Sequence, residues 1–382
     1  MRLSIAAVSA VLAAVALPAA AQAGTAEVRD GKLTYTARNA EVNDVTVRVG
    51  PTGKLIVADT APQLAGAGCL LNGSGDLECD PAGVGSVEVS LADRNDVVRY
   101  RAPHPGIVDA GSGTDTFFGG LRQGANGPVR YLGGEGLADA LRYADADRGV
   151  TAALGGLSGN DGRPGDLEDA RGDIEVLEGS RFGDTLTGTD DALGETFVGG
   201  GGGDAIDARG GPDRIDERNA ASGGDAIDGG AGRDVVDYGR RSTGTIVTLD
   251  DRNDDGDRSL REGDNVKPTV EDVVTGRGND RVVGTADSND VLAGAGDDVV
   301  VGSDRLIDGP DIGGDRIDPG AGEDFVDGSD EDDVIFVRDR ESDDVDCRGG
   351  LDFVTADPLG RLGFVPPGAD LVRDCEAVDV PS

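Results

Sequence analysis

Six short segments end a glycine-rich turn with an aspartate and follow it with an apolar residue. They are AGSGTDTF at 110–117, GGGGGDAI at 199–206, GGAGRDVV at 229–236, TGRGNDRV at 275–282, AGAGDDVV at 293–300 and PGAGEDFV at 319–326. Looser versions lie among them. The candidate aspartates are Asp115, Asp184, Asp204, Asp213, Asp225, Asp234, Asp280, Asp290, Asp298, Asp315, Asp324 and Asp333, with gaps near nine and several pairs near eighteen. Glycine reaches positive φ without strain, so such a turn closes sharply and aims main-chain carbonyls at one point. The aspartate adds a carboxylate there. An all-oxygen donor set of this kind suits a hard cation taking six to eight oxygens, Ca2+ rather than zinc or copper. Mg2+ is less apt, because it keeps its waters and demands a rigid octahedron.

Positioning these side chains is the work of the residues between them. In the unit GGxGxDxUx, with U apolar, six residues turn and xUx forms a short strand with one inward side chain. Nine residues make half a coil and eighteen a full one, so the strands of stacked coils pair in parallel around a thin Val/Ile/Leu interior. Aspartates eighteen apart then lie on one edge, about one strand spacing (roughly 4.8 Å) from each other, and repel unless neutralised. Asp280 with Asp298 meets this spacing, with Asp290 expected near the opposite edge; Asp315 with Asp333 also meets it. The pairs Asp204/Asp225 and Asp213/Asp234 are twenty-one apart and require a bulge, while Asp115 is well formed but isolated. Arginine is the competing neutraliser, because Arg214, Arg233, Arg281 and Arg316 each adjoin a repeat aspartate and a guanidinium over the stack would replace the metal.

A longer period overlies the short one. Residues 133–188 match 229–284: Tyr143 answers Tyr238, Leu154 answers Leu249, Ile174-Glu175 answers Val270-Glu271, and Asp184 answers Asp280. Tandem duplication suits a stacked scaffold better than a catalytic domain.

The repeats resemble the hemolysin-type calcium-binding nonapeptides of the RTX family over residues 108–357, and IEVLEGSRFGDTLTG resembles the lead-in of such arrays. The resemblance implies a parallel β-roll with calcium between adjacent turns. It does not imply cytolysis: the repeats are interrupted, nothing resembles a pore-forming region, and the export signal is N-terminal. The segment after residue 346 resembles the closing segment of similar actinobacterial proteins, which implies a cap over the last coil. The expected architecture is all-β, a right-handed parallel β-roll or β-helix solenoid over 102–346. A small antiparallel β domain at 24–101 precedes it, read from the alternation Val45, Val47, Val49 and the turns Asp30-Gly31 and Pro51-Thr52-Gly53. A C-terminal cap at 347–382 follows.

Composition bounds the remaining possibilities. The 382 residues carry 74 acids against 35 bases, for a net charge of −39, with 64 Gly, no Trp and 3% aromatics. Of the acids 58 are Asp and 16 Glu, the balance expected of turns rather than helices. This disfavours a helical bundle or a doubly wound enzyme, and the sign of the charge excludes phosphate-neutralising nucleic-acid binding. Residues 1–23 read as a signal peptide, with Arg2, an apolar stretch Ile5–Leu17 and the small-x-small site Ala21-Gln22-Ala23. No later run is long enough for a membrane span, so a secreted, monomeric protein is expected. Four cysteines allow three pairings. The local choice, Cys69 with Cys79 and Cys347 with Cys375, is the simplest in an oxidising compartment.

The function expected is that of a secreted calcium-binding repeat protein, structural, adhesive or matrix-associated and not an enzyme. Its partners would be calcium ions and a cell-surface or polysaccharide matrix. The alternative is a calcium-dependent polysaccharide-acting enzyme on a parallel β-helix. Such an enzyme needs a positioned acid–base pair, whereas here every conspicuous carboxylate has a repeat role and His104, the only histidine, stands in a proline-flanked linker.

Overall fold

The computed structural model describes residues 23–156, 159–217, 223–303, 313–358 and 368–380. The expected signal peptide, apart from Ala23, and parts of the expected C-terminal cap (359–367 and 381–382) lie outside them. Every regular element among the described residues is a β-strand, commonly of three residues. That length follows from the repeat, since glycine-bearing turns leave only xUx between them.

One sheet runs the length of the chain. Its parallel part joins Asp44–Val49, Val97–Tyr100, Thr116–Phe118, Ala140–Arg142, Val176–Glu178, Thr196–Val198 and Arg214–Asp216 in succession. It continues through Val235–Asp237, Asp272–Val274, Asp290–Leu292, Arg316–Asp318, Val334–Val337, Phe353–Ala356 and Ala377–Asp379. Between visits to this sheet the chain adds strands to the opposite face, which is divided into three sheets. The architecture is therefore an all-β solenoid of parallel strands.

The register stacks like on like. Leu141, Leu177, Phe197, Ile215, Val236, Val273, Val291, Ile317, Ile335 and Val354 form one column, and all are fully buried. Each contributes about 1.5–3 kcal/mol by leaving water, yet only in the company of the coils above and below it. The buried cluster is continuous from Ala26 to Ala356. A narrow two-faced interior takes one side chain per strand, which accounts for the scarcity of large aromatics.

Residues 24–101 combine two kinds of pairing. Gly24–Arg29 with Lys32–Thr36, and Asp44–Val49 with Leu55–Ala58, are antiparallel hairpins; Leu77–Cys79 extends the second. In the same segment Lys32–Thr36 pairs in parallel with Ser86–Ser90, as Asp44–Val49 does with Val97–Tyr100. Neither sheet is interrupted near residue 101.

The long duplication corresponds to the two places where the second face changes sheet. In the first unit Thr151–Ala153 opens a new sheet while Glu168–Ala170 closes the old one. In the second, Thr245–Thr248 opens and Asn265–Val266 closes. A buried aspartate staples each gap. Asp161 accepts the N–H of Ala153 on one carboxylate oxygen and that of Ala170 on the other, at 2.9 and 2.7 Å. Asp255 does the same with Thr248 and Val266, at 2.6 and 2.9 Å.

Two disulfides are present, Cys69–Cys79 and Cys347–Cys375. The second ties the fully buried Cys347 to the residues just after Leu371–Arg373, the final strand of the second face. Replacing Cys347 and Cys375 together by alanine is expected to cost about 3 kcal/mol. The loss should appear as early amide exchange at 371–379 while 290–292 stays protected; uniform loss along the chain would contradict a local role.

Candidate metal-binding ladders

The residue immediately before each strand, two positions ahead of the inward apolar side chain, is almost always acidic. Its side chain turns back into the solenoid wall and accepts the backbone N–H of its counterpart one coil earlier. On the edge of the continuous sheet, Asn43 donates to Asp96, Asp96 to Asp115, Asp115 to Asp139 and Asp139 to Glu175, at 2.7–2.8 Å. A second run joins Glu195, Asp213, Asp234 and Glu271. A third joins Asn289, Asp315, Asp333, Asp352 and Glu376. The opposite edge has one run through Val150, Asp184, Asp204, Asp225 and Asp264. Another passes through Thr245, Asp280, Asp298, Asp324, Asp343 and Asp370.

Each run on the continuous edge stops at a glutamate. There the backbone N–H leaves the side-chain ladder: that of Glu175 donates to the Asp139 carbonyl at 3.0 Å and that of Glu271 to the Asp234 carbonyl at 3.2 Å. The chain of donors is interrupted there.

The structure brings together the pairs expected from spacing: Asp280 stacks on Asp298, Asp315 on Asp333, Asp204 on Asp225 and Asp213 on Asp234. Asp324 follows Asp298, and Asp184 precedes Asp204. Asp115, isolated in sequence, has Asp96 and Asp139 as neighbours. Asp290 is different. It starts a strand, faces outward and pairs with Arg316 at 2.8 Å, while the ladder position falls to Asn289. Asn289 is the residue two ahead of the buried Val291, and that offset identifies the rungs without reference to glycine. The offset also finds Asp96, Asp139, Glu175, Glu195, Asp264, Glu271, Asp343, Asp352, Asp370 and Glu376, none of which ends a GxGxD turn.

Glycine makes room for the carboxylates. A Cβ at Gly199 would lie 2.4 Å from Asp204 Oδ2, and one at Gly229 would lie 2.6 Å from Asp234 Oδ2. The second carboxylate oxygen thus folds back across the mouth of its own turn. At Asp96, Asp115, Asp139, Asp204, Asp234, Asp298 and Asp324 that oxygen is buried and has no hydrogen-bond partner, whereas Asp213 and Asp352 each face a glutamate carboxyl, Glu195 and Glu376.

The arginines do not supply one. Arg214 pairs with Asp237, Arg233 with Asp272 at 2.7 Å and Arg316 with Asp290, all carboxylates on strands of an adjacent coil. The charges that act on Asp204, Asp298 and Asp343 are negative, from neighbouring rungs and turn acids. Burial first, and then these like charges, push Asp204 up to about 7 and both Asp298 and Asp343 to about 8. Asp115, Asp234 and Asp324 rise to about 6 for the same principal reason. These carboxyls therefore keep their protons to a higher pH than an aspartate in water.

Oxygen-only donors, buried and unpartnered, suit a hard cation in kind. Stacking puts one carboxylate in each turn, and among the described residues no three acidic, histidine or cysteine side chains converge on one point. An ion between coils would therefore be shared by two carboxylates and completed by turn carbonyls. His104 takes no part; it is half-buried, and burial together with Arg122 lowers its pKa.

No protein-family model matches the chain, and no curated protein matches it significantly. Among the described residues no helix is long and apolar enough to cross a membrane.

Proposed function

We propose that this chain is an exported, non-enzymatic solenoid whose coils are held in register by calcium, serving as a spacer, adhesive or matrix module outside the cell. One observation carries the proposal. Both edges present columns of buried carboxylates, one per coil, with unpartnered oxygens and no guanidinium at most rungs. Asp298 and Asp324 on one edge, and Asp213 and Asp234 on the other, are the residues proposed to hold ions, together with glycine-turn carbonyls; Asp280 stacks on Asp298 but both its oxygens already accept main-chain N–H groups, from Thr245 and Gly276. Bound calcium would neutralise the stack and tie each turn to the next. Export accords with the two disulfides, which persist in oxidising compartments, and with the leader read in the sequence.

Calcium at millimolar levels is expected to raise the strand signal in circular dichroism and the thermal midpoint of the purified protein, and a chelator to reverse both. Calorimetric titration of Asp298→Asn should count fewer ions than the parent. Identical strand signal and midpoint with chelator and with calcium at pH 8 would overturn the proposal.

A further inference from the structure

The sheet-changing hairpin of the second duplicated unit contains a motif that the nonapeptide ladder does not use. Residues 251–262 read DRNDDGDRSLRE, with Asp251, Asn253, Asp255, Gly256 and Glu262 at positions 1, 3, 5, 6 and 12. This is the D-x-[DN]-x-[DN]-G-x5-E spacing of a twelve-residue calcium loop. The first duplicated unit provides an internal contrast. Aligned on Asp161-Gly162, its positions 1 and 3 are Leu157 and Gly159, which have no side-chain oxygen.

The structure adds observations independent of the motif. The side chain of Asp250, which leads into the loop, is only 3% exposed, and its Oδ1 is buried without a hydrogen-bond partner. Its other oxygen meets Arg252 at 3.0 Å, and that guanidinium is largely exposed. The Asp251 and Asn253 side-chain oxygens converge on a single amide nitrogen, Asn265 Nδ2, at 3.1 and 3.4 Å. Asn265 Oδ1, on the same amide, is buried and unpartnered. A weak neutral donor thus occupies the point where two oxygens meet, while the oxygen on the same amide and Asp250 Oδ1, one residue before Asp251, go unsatisfied. Gly256, at φ 92°, makes the sharp turn that the sixth position requires. Asp255 and Glu262 face inward, Asp255 onto the two strand amides and Glu262 onto Arg241 and the Asp257 N–H. They brace the loop from behind and leave its outer side to Asp251 and Asn253, with Asn265 half-buried and the Asp250 side chain buried.

We infer that the 250–265 hairpin is a second kind of calcium site, outside the nonapeptide ladders, in which Asp250, Asp251, Asn253 and Asn265 supply the oxygens and the ion pins the junction between two sheets. Two carboxylates and two amides make up this set, so it is chemically distinct from the stacked rungs.

Hydrogen exchange of the full-length protein, read by peptide with calcium chloride or with chelator, tests this. At about ten times the dissociation constant, exchange through opening of 250–265 is expected to slow on the order of tenfold. The slowing should vanish in Asp251→Ala/Asn253→Ala, two exposed positions whose loss leaves the core intact, while peptides across 293–337 keep theirs. Calcium that protects 293–337 but leaves 250–265 unchanged would overturn this site and spare the ladders. Protection confined to 250–265 would support the site and overturn the ladders instead. Protection of 250–265 that survives in the double variant would also sink the assignment.

Discussion

Gly322→Ala is expected to unfold the C-terminal coils, at a cost of about 4 kcal/mol or more. Gly322 has φ 150°, and a Cβ there would stand 1.8 Å from the carbonyl oxygen of Gly296, one coil earlier. That contact is backbone against backbone, so no side-chain rotation relieves it. Gly296 stands in the same relation to Gly278, with a Cβ 2.2 Å from its carbonyl oxygen. Relief at one rung therefore displaces the next. Gly53→Ala provides the comparison, because Gly53 also has positive φ, 79°, but nothing lies within 4 Å of its added Cβ. Conformation alone then costs about 1–2 kcal/mol. Denaturant midpoints and limited proteolysis of both variants decide the matter. Equal losses would mean that glycine serves these turns only through φ, and that coil-to-coil contact is not what selects it.

That comparison also shows which parts of the fold were legible in the sequence. Glycine and aspartate at fixed offsets announce turns, the lone apolar residue between them announces a short strand, and stacking follows because one coil cannot bury its own interior. The pairs Asp280/Asp298 and Asp315/Asp333 could be placed for that reason. The template misled where chemistry permits substitution. An accepting rung needs only a side-chain oxygen, so Glu175 and Glu271 serve without a GxGxD turn, and the first member of a run needs only its backbone N–H, so Glu195 and Asn289 open runs. Asp290 looked like the rung because it is the acid nearest the expected edge, yet the buried Val291 fixes Asn289 as the position two residues ahead. The first coils were concealed by length. Asn43 and Asp96 are successive rungs separated by 53 residues, most of them taken up by antiparallel hairpins. Likewise the duplication was visible, but its structural meaning was not. Asp161 and Asp255 staple two sheets through main-chain amides, and no side-chain pattern records a partner of that kind.

The ladders predict an unusual response to acid. In calcium-free protein the thermal midpoint is expected to fall as pH rises from 5 to 8, by on the order of 10 °C if several rungs act together. The sign follows from the direction of the shifts. An aspartate in the unfolded chain loses its proton near pH 4. In the fold, burial and neighbouring rungs raise Asp115, Asp234 and Asp324 to about 6, Asp204 to about 7, and Asp298 and Asp343 to about 8. Between those limits the folded chain holds protons that the unfolded chain has released, so raising pH through the window favours unfolding. A protein stabilised by salt-bridged carboxylates shows the opposite slope, because their folded values are lowered. Calcium should cancel the effect, since an ion between rungs takes the place of the protons and binds more tightly as they leave. Melting curves at pH 5, 6, 7 and 8, each with calcium and with chelator, separate the two kinds of neutraliser. A midpoint that rises with pH in chelator would mean that the carboxylates are stabilised by their backbone N–H partners alone. The unpartnered oxygens would then need no cation, and the ladders would be turn-locking devices rather than metal sites.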